Sequence, residues 1–174
     1  CPGLKGLQLG GEEDDDIRAP EGRITNAGMQ MLAQRCRKLE KLTLHWQPLI
    51  TTASFASSWS SLTEVMIYSC EGLEDVSGLR HAKIIHLCGS QSVTDVSALG
   101  LVHELSLEAC NGVSDVSALG KVHKLALDAC DSVTDVSMLT GVHTLRLMSC
   151  QGVTDVSALG KVDDLNLWGC VHVT

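Results

Sequence analysis

Apolar residues return on a fixed beat along most of this chain. From Leu62 onward the beat is 20 residues without an insertion, with LVHELSLEACNGVSDVSALG at 101–120, KVHKLALDACDSVTDVSMLT at 121–140 and GVHTLRLMSCQGVTDVSALG at 141–160. Residues 161–174 begin another unit, and 60–80 and 81–100 hold the register with more drift. Within one unit, Val102, Leu105 and Leu107 are interleaved with polar Glu104, Ser106 and Glu108. Such period-two alternation over a short stretch describes a strand with one buried face. Cys110 follows, and Asn111-Gly112 marks a turn. Val113, Val116 and Leu119 then come at a spacing of three, which suits a single 3-10 or helical turn on an outer wall. Asp115 stands where a short acidic side chain can cap the free N–H groups of that turn. Gly120, or a neighbour, is expected to permit the sharp return into the next strand through its backbone freedom.

A strand and one short turn cannot cover their own apolar side, so the copies must stack. Each adds one parallel strand about 4.8 Å from the last. The expected architecture is an α/β solenoid with one parallel β-sheet on one side and short 3-10 turns or helices on the other.

The unit LxxLxLxxC, with Leu or Val in first place, resembles the leucine-rich repeat, and VTDVSAL resembles the convex turn of internalin-type repeats. The opening Cys1-Pro2-Gly3-Leu4, with ITNAGMQMLAQRCRKLEKLTL at 24–44, instead resembles the cysteine-containing repeats of F-box and related proteins. Together the resemblances cover essentially the whole chain. They imply that the sheet is concave and the turn side convex, and that the sheet carries a binding surface. The N-terminal resemblance further implies a substrate-receptor role in ubiquitin ligation, with an F-box on a segment outside 1–174.

Residues 1–174 therefore read as a single solenoid, expected to be a piece of a longer chain because both ends fall in mid-unit. Residues 1–61 are the irregular cysteine-containing part and 62–174 the regular part. An insertion at 10–23 carries an acidic run at 12–16, flanked by Gly and Pro and read as a solvated loop. It lacks the spaced ligands of an EF-hand, so cation binding there is the minor reading. After it, Ile24-Thr25-Asn26 can cap a helix whose apolar residues Met29, Leu32, Ala33 and Cys36 follow helical spacing. The outer wall is expected to begin helical and tighten to single turns after about residue 72, with the stretch at 49–59 ambiguous between the two.

Composition narrows the function classes. Hydrophobic residues reach 44% but aromatics only 3%, so many small aliphatics must be buried in a regular way. A net charge of −8 argues against nucleic acid as the main partner. No apolar run is long enough to insert in a membrane. Of eight cysteines, Cys70, Cys110, Cys130, Cys150 and Cys170 share one 20-residue grid, with Ser90 in the vacant place. A residue type recurring once per unit has a repeated packing role, so these read as reduced, buried thiols and the localisation as cytoplasmic.

Alternation maps the outward side chains of the sheet. The candidate partner-binding residues are Met66, Tyr68, Ile84, His86, Glu104, Glu108, Lys124, Asp128, Arg146, Met148 and Trp168. These positions vary between units while the buried ones do not, and Met66, Tyr68, Ile84, His86 and Cys88 form the most apolar patch. Trp46 falls after a strand, where it could join the core, and Trp168 could cover a following unit. His103, His123 and His143 stack one repeat apart, but Lys83 and Asp163 hold the equivalent places. That reads as a solvated edge position and not a metal or pH site. The Asp75, Asp95, Asp115, Asp135 and Asp155 ladder is explained by capping. No phosphate loop, GxSxG elbow or HExxH occurs, and no off-register nucleophile–base pair stands out, so no enzyme and no cofactor is expected. The leading function is a protein-interaction module, an adaptor or substrate receptor, binding another protein on the concave face. The alternative is a structural or surface-displayed repeat spacer, as in an adhesin.

Overall fold

The alternating stretches become strands, and each lies beside the next in chain order. A computed structural model describes Cys1, residues 3–11 and residues 23–174. The acidic run at 12–16, and with it the cation question, lies outside the described residues. The strands are β1 (Gly6–Leu9), β2 (Lys41–His45), β3 (Glu64–Tyr68), β4 (Ile84–Cys88), β5 (Glu104–Glu108), β6 (Lys124–Ala126), β7 (Thr144–Arg146) and β8 (Asp164–Asn166). They form one parallel sheet in the order β1 to β8. Register is unshifted along the repeat, as in Leu105↔Leu125↔Leu145↔Leu165. The pairing also runs past the short strands: the Leu127 N–H donates to the Arg146 carbonyl and the Ala129 N–H to that of Met148.

The opposite wall changes character along the chain, as expected. It begins with α1 (Asn26–Arg35), whose N-cap Thr25 accepts a hydrogen bond from the Gly28 N–H at 3.3 Å. Met29 and Ala33 turn inward and are buried, as is Cys36 just past the helix. The ambiguous stretch resolves as a 3-10 helix at Ser54–Ser58, with Phe55 and Trp59 packed edge to face at 5.8 Å. Beyond it the wall shrinks to three-residue 3-10 turns at Ser77–Leu79, Ser97–Leu99, Ser117–Leu119 and Ser157–Leu159. Each is anchored by the aspartate two residues before its first serine: Asp75, Asp95, Asp115 and Asp155 each accept the Ser N–H, and Asp135 accepts that of Ser137.

Between strand and turn, the valines, leucines and cysteines of every coil merge into one continuous core. A fully buried Leu or Val contributes about 1.5–3 kcal/mol, but only once a neighbouring coil covers it. The buried thiols also hydrogen-bond. Cys130 Sγ donates to the Leu107 carbonyl at 2.6 Å and Cys150 Sγ to that of Leu127 at 2.9 Å. Burial pushes the thiols of Cys110 and Cys150 up to about 11 and that of Cys130 to about 12. Cys36, Cys70, Cys110, Cys130 and Cys150 are buried free thiols.

The reversal is made differently from the expectation. Gly120 has φ −62, an ordinary helical value, so its conformational freedom is not used. It is small because the next coil comes close: a Cβ there would sit 2.2 Å from the Met138 carbonyl oxygen. The left-handed residue lies just before the Cys position, at Ser69, Gly89, Ala109, Ala129, Ser149 and Gly169. There the chain leaves the strand and turns toward the outer wall.

Candidate partner-binding face

Three columns of side chains stand on the solvent side of the sheet, set by the strand register. The first runs Lys41, Glu64, Ile84, Glu104, Lys124, Thr144, Asp164. Thr43, Met66, His86, Ser106, Ala126, Arg146 and Asn166 make the second. The third begins His45, Tyr68, Cys88, Glu108 and continues at the same offset with Asp128, Met148 and Trp168.

At the N-terminal end the columns converge on an apolar and aromatic patch. The His45 and Tyr68 rings stack at 4.7 Å with 17° between their planes. The Tyr68 hydroxyl donates to Met66 Sδ at 3.5 Å. Met66, Tyr68, Ile84 and His86 are all half-buried, and their strands put them side by side. Farther along the face is charged. Glu104 lies between His86 Nε2 at 4.0 Å and Lys124 Nζ at 3.8 Å, while at the N-terminal end Lys41 pairs with Glu64 at 2.6 Å beside the apolar patch. Glu108 is exposed.

Two placements differ from the sequence expectation. Asp128 is not a free outward carboxylate: it is 8% exposed, accepts the Met148 N–H at 2.9 Å and pairs with Arg146. Asp128 lies in a turn at 128–129 beyond β6, and its carboxylate is taken up by the backbone and guanidinium of the next coil, with Met148 half-buried. Trp46 is not core but 47% exposed, because its φ of 55 turns it out of the strand path. Trp168 stands outward as expected and is 71% exposed. The predicted residues thus form a strip and not a single pocket. Trp168 lies five strands from Tyr68, roughly 24 Å away at sheet spacing.

Below the face, His103, His123 and His143 stack at 4.9 and 4.7 Å in nearly parallel planes. Desolvation, together with His143, His103 and Lys124 nearby, holds His123 below the ordinary histidine range. His143 also pairs with Asp163. Parallel rings lie side by side and do not converge on a point, and among the described residues no cluster of His, Cys, Asp or Glu could hold a metal ion.

No protein-family model and no curated protein matches the chain. Among solved structures, the leucine-rich repeat domain of the type III effector XopL superimposes with a TM-score of 0.54 at 18% identity. The match covers 83% of this chain and 57% of that one. This chain has the leucine-rich-repeat fold. At that identity the likeness carries architecture only, and this chain spans little more than half of the XopL structure. Among the described residues no helix is long and apolar enough to cross a membrane.

One feature of the solenoid escaped the sequence reading. Gln91 Oε1 accepts the Asn111 N–H at 3.1 Å, Asn111 Oδ1 the Asp131 N–H at 2.9 Å, and Asp131 Oδ1 the Gln151 N–H at 3.0 Å. These side-chain carbonyls close the backbone ladder where the chain leaves the sheet. The signal was present as an amide or acid on the grid at Glu71, Gln91, Asn111, Asp131 and Gln151, with Val171 breaking the series.

Proposed function

We propose that the chain is a non-catalytic protein-recognition module that holds another protein against its sheet face, as an adaptor or substrate receptor. One contrast supports the reading. On each full strand the inward places keep Leu, Val or Ile, while the outward places change from coil to coil among Met, Tyr, His, Glu, Lys and Arg. Packing constrains the first set and leaves the second free to carry recognition. The half-buried Met66, Tyr68 and Ile84, backed by the stacked His45, supply the apolar anchor that interfaces place at their centre. Glu104, Glu108 and Lys124 supply the charged surround that favours one partner over another. Free buried thiols fit a reducing, cytoplasmic setting.

The test is affinity purification from native extract with the original chain, a Met66→Asp/Tyr68→Asp variant and a Met138→Asp control on the opposite wall. A protein retained by the original and the control but lost by the sheet-face variant supports the reading. Equal recovery on all three, with circular dichroism unchanged, contradicts it and moves the spacer reading ahead.

A further inference from the structure

Within a formal charge of −8, Arg80, Lys83 and Lys121 gather on one edge of the sheet. In each regular coil a short segment leads from the outer turn into the strand, at 80–83, 100–103 and 120–123, and another leads out of it. Arg80, Lys83, Lys121, Lys124 and Lys161 all stand on the leading edge or on the strand position adjoining it. The acids Glu71, Glu74 and Asp131 stand on the trailing edge and the capping aspartates on the outer wall, while Asp163 lies on the leading edge and Glu64, Glu104 and Asp164 share the strand position of Lys124.

Backbone pairing continues through the leading edge and orders it. The His103 N–H donates to the Lys83 carbonyl, and that of His143 to the His123 carbonyl, each at 3.1 Å. Side chains at 83, 103, 123 and 143 therefore rise one above the other at strand spacing. A shallow depression opens beside them, lined by Arg80, His81, Ala82, Lys83, Leu101 and His103. Leu101 is 81% exposed, where equivalent places in other coils hold His81, Lys121, Gly141 and Lys161. Among the described residues Arg80, Lys83 and Lys121 make no salt bridge, and Arg80 engages only His81, through Nε at 3.2 Å. An isolated exposed leucine is ordinary. Here it departs from the repeat and stands among uncommitted cations.

We propose that this leading edge binds an extended acidic segment of a protein, its carboxylates against Arg80, Lys83 and Lys121 and one apolar side chain on Leu101. Charge complementarity selects an anion, and Leu101 selects one that carries hydrocarbon. A nucleic acid fits less well. Binding single strands relies on aromatic platforms for the bases. Tyr68 and Trp168 lie on the sheet face, Trp46 on the trailing edge, and Phe55 and Trp59 in the core. The edge histidines are stacked on one another, so the ring faces between them are not available to a base. This surface uses residues apart from the Met66–Tyr68 patch, so it stands or falls independently of the sheet-face reading.

The probe is a fluorescein-labelled peptide of Glu and Asp around a single Leu, followed by fluorescence anisotropy at about 0.05 M salt, where screening is weak. Saturable binding is expected, weakened about tenfold or more by Lys83→Glu/Lys121→Glu. Leu101→Ser should weaken it several-fold while leaving its salt dependence intact. Glu71→Lys on the opposite edge should leave it unchanged, and circular dichroism should show all variants folded. The proposal is overturned by the absence of saturable binding or by affinity indifferent to the Lys83/Lys121 change. Tighter binding of a labelled single-stranded RNA to the same lysines would also overturn it, by assigning the edge to nucleic acid.

Discussion

Replacing Ser90 with Cys should make the protein more stable by about 1–2 kcal/mol. Ser90 is fully buried and its hydroxyl has no hydrogen-bond partner among the described residues. Every neighbouring coil puts Cys there, and Cys110, Cys130, Cys150 and Cys170 each donate to a carbonyl 23 residues earlier. The corresponding carbonyl for position 90 belongs to Ile67, and a C–O bond is shorter than a C–S bond, so the serine falls short where sulfur reaches. A buried hydroxyl without a partner costs about 1–3 kcal/mol, which the substitution recovers along with some apolar contact. The larger sulfur needs room, and local overpacking subtracts from the gain. For a chain of this size the gain corresponds to a Tm rise of about 3–6 °C. Urea and thermal denaturation in reducing buffer should be run beside Ser90→Ala and Cys110→Ser. Ser90→Ala removes the hydroxyl but leaves a small void, so it should fall between the original and the cysteine variant. Cys110→Ser should cost about what Ser90→Cys gains. If Ser90→Cys is no more stable than the original, or Cys110→Ser costs nothing, the hydrogen-bonded thiol ladder is not what these positions contribute.

Three further outcomes follow from the coil geometry. Ala109 and Ala129 hold left-handed φ of 51 and 54, so Ala109→Gly or Ala129→Gly should stabilise by about 0.5–1 kcal/mol, while Gly89→Ala at φ 65 should cost about 1 kcal/mol, all by urea titration. The Ser117 hydroxyl and N–H hold the Asp115 carboxyl below the usual range, and Asp95 and Asp135 are held likewise by Ser97 and Ser137. Depressed carboxylates stabilise the fold above their unfolded pKa of about 4 and lose that contribution as pH falls through the folded values. Acid unfolding should therefore steepen below about pH 4, and an Asp95→Asn/Asp115→Asn/Asp135→Asn variant, which keeps the acceptors, should show a flatter profile. Alkylation at neutral pH followed by mass spectrometry should modify exposed Cys1 and spare Cys110, Cys130 and Cys150 until denaturant is added, because burial holds their thiols protonated. Modification of those three as fast as Cys1 would contradict the buried ladder.

The architecture was legible because packing repeats itself. A buried Leu at 105, 125 and 145 must recur at fixed spacing if strands stack in register, so periodicity alone delivered the sheet, the capping aspartates and the change of outer wall. Departures came where a residue serves the neighbouring coil. Gly120 reads as a flexible hinge until the Met138 carbonyl is placed against it, and Asp128 reads as an outward carboxylate until Arg146 of the next coil pairs with it. The left-handed column before the cysteines was hidden because Ala109, Ala129 and Ser149 tolerate a conformation that only Gly89 and Gly169 advertise. Outward positions followed from alternation, but their grouping into an apolar end and a charged end depended on neighbours 20 residues away. What binds them leaves no periodic trace, since recognition residues are the ones released from the repeat.

The most direct test of the sheet-face reading is site-specific photocrosslinking in native extract, with a photoreactive amino acid at position 68 on the sheet or at position 138 on the opposite wall. The account predicts a discrete crosslinked protein from position 68 that disappears when Met66→Asp is added, and none of that mass from position 138. A partner captured from 138 and absent from 68 would place recognition on the outer wall and contradict it.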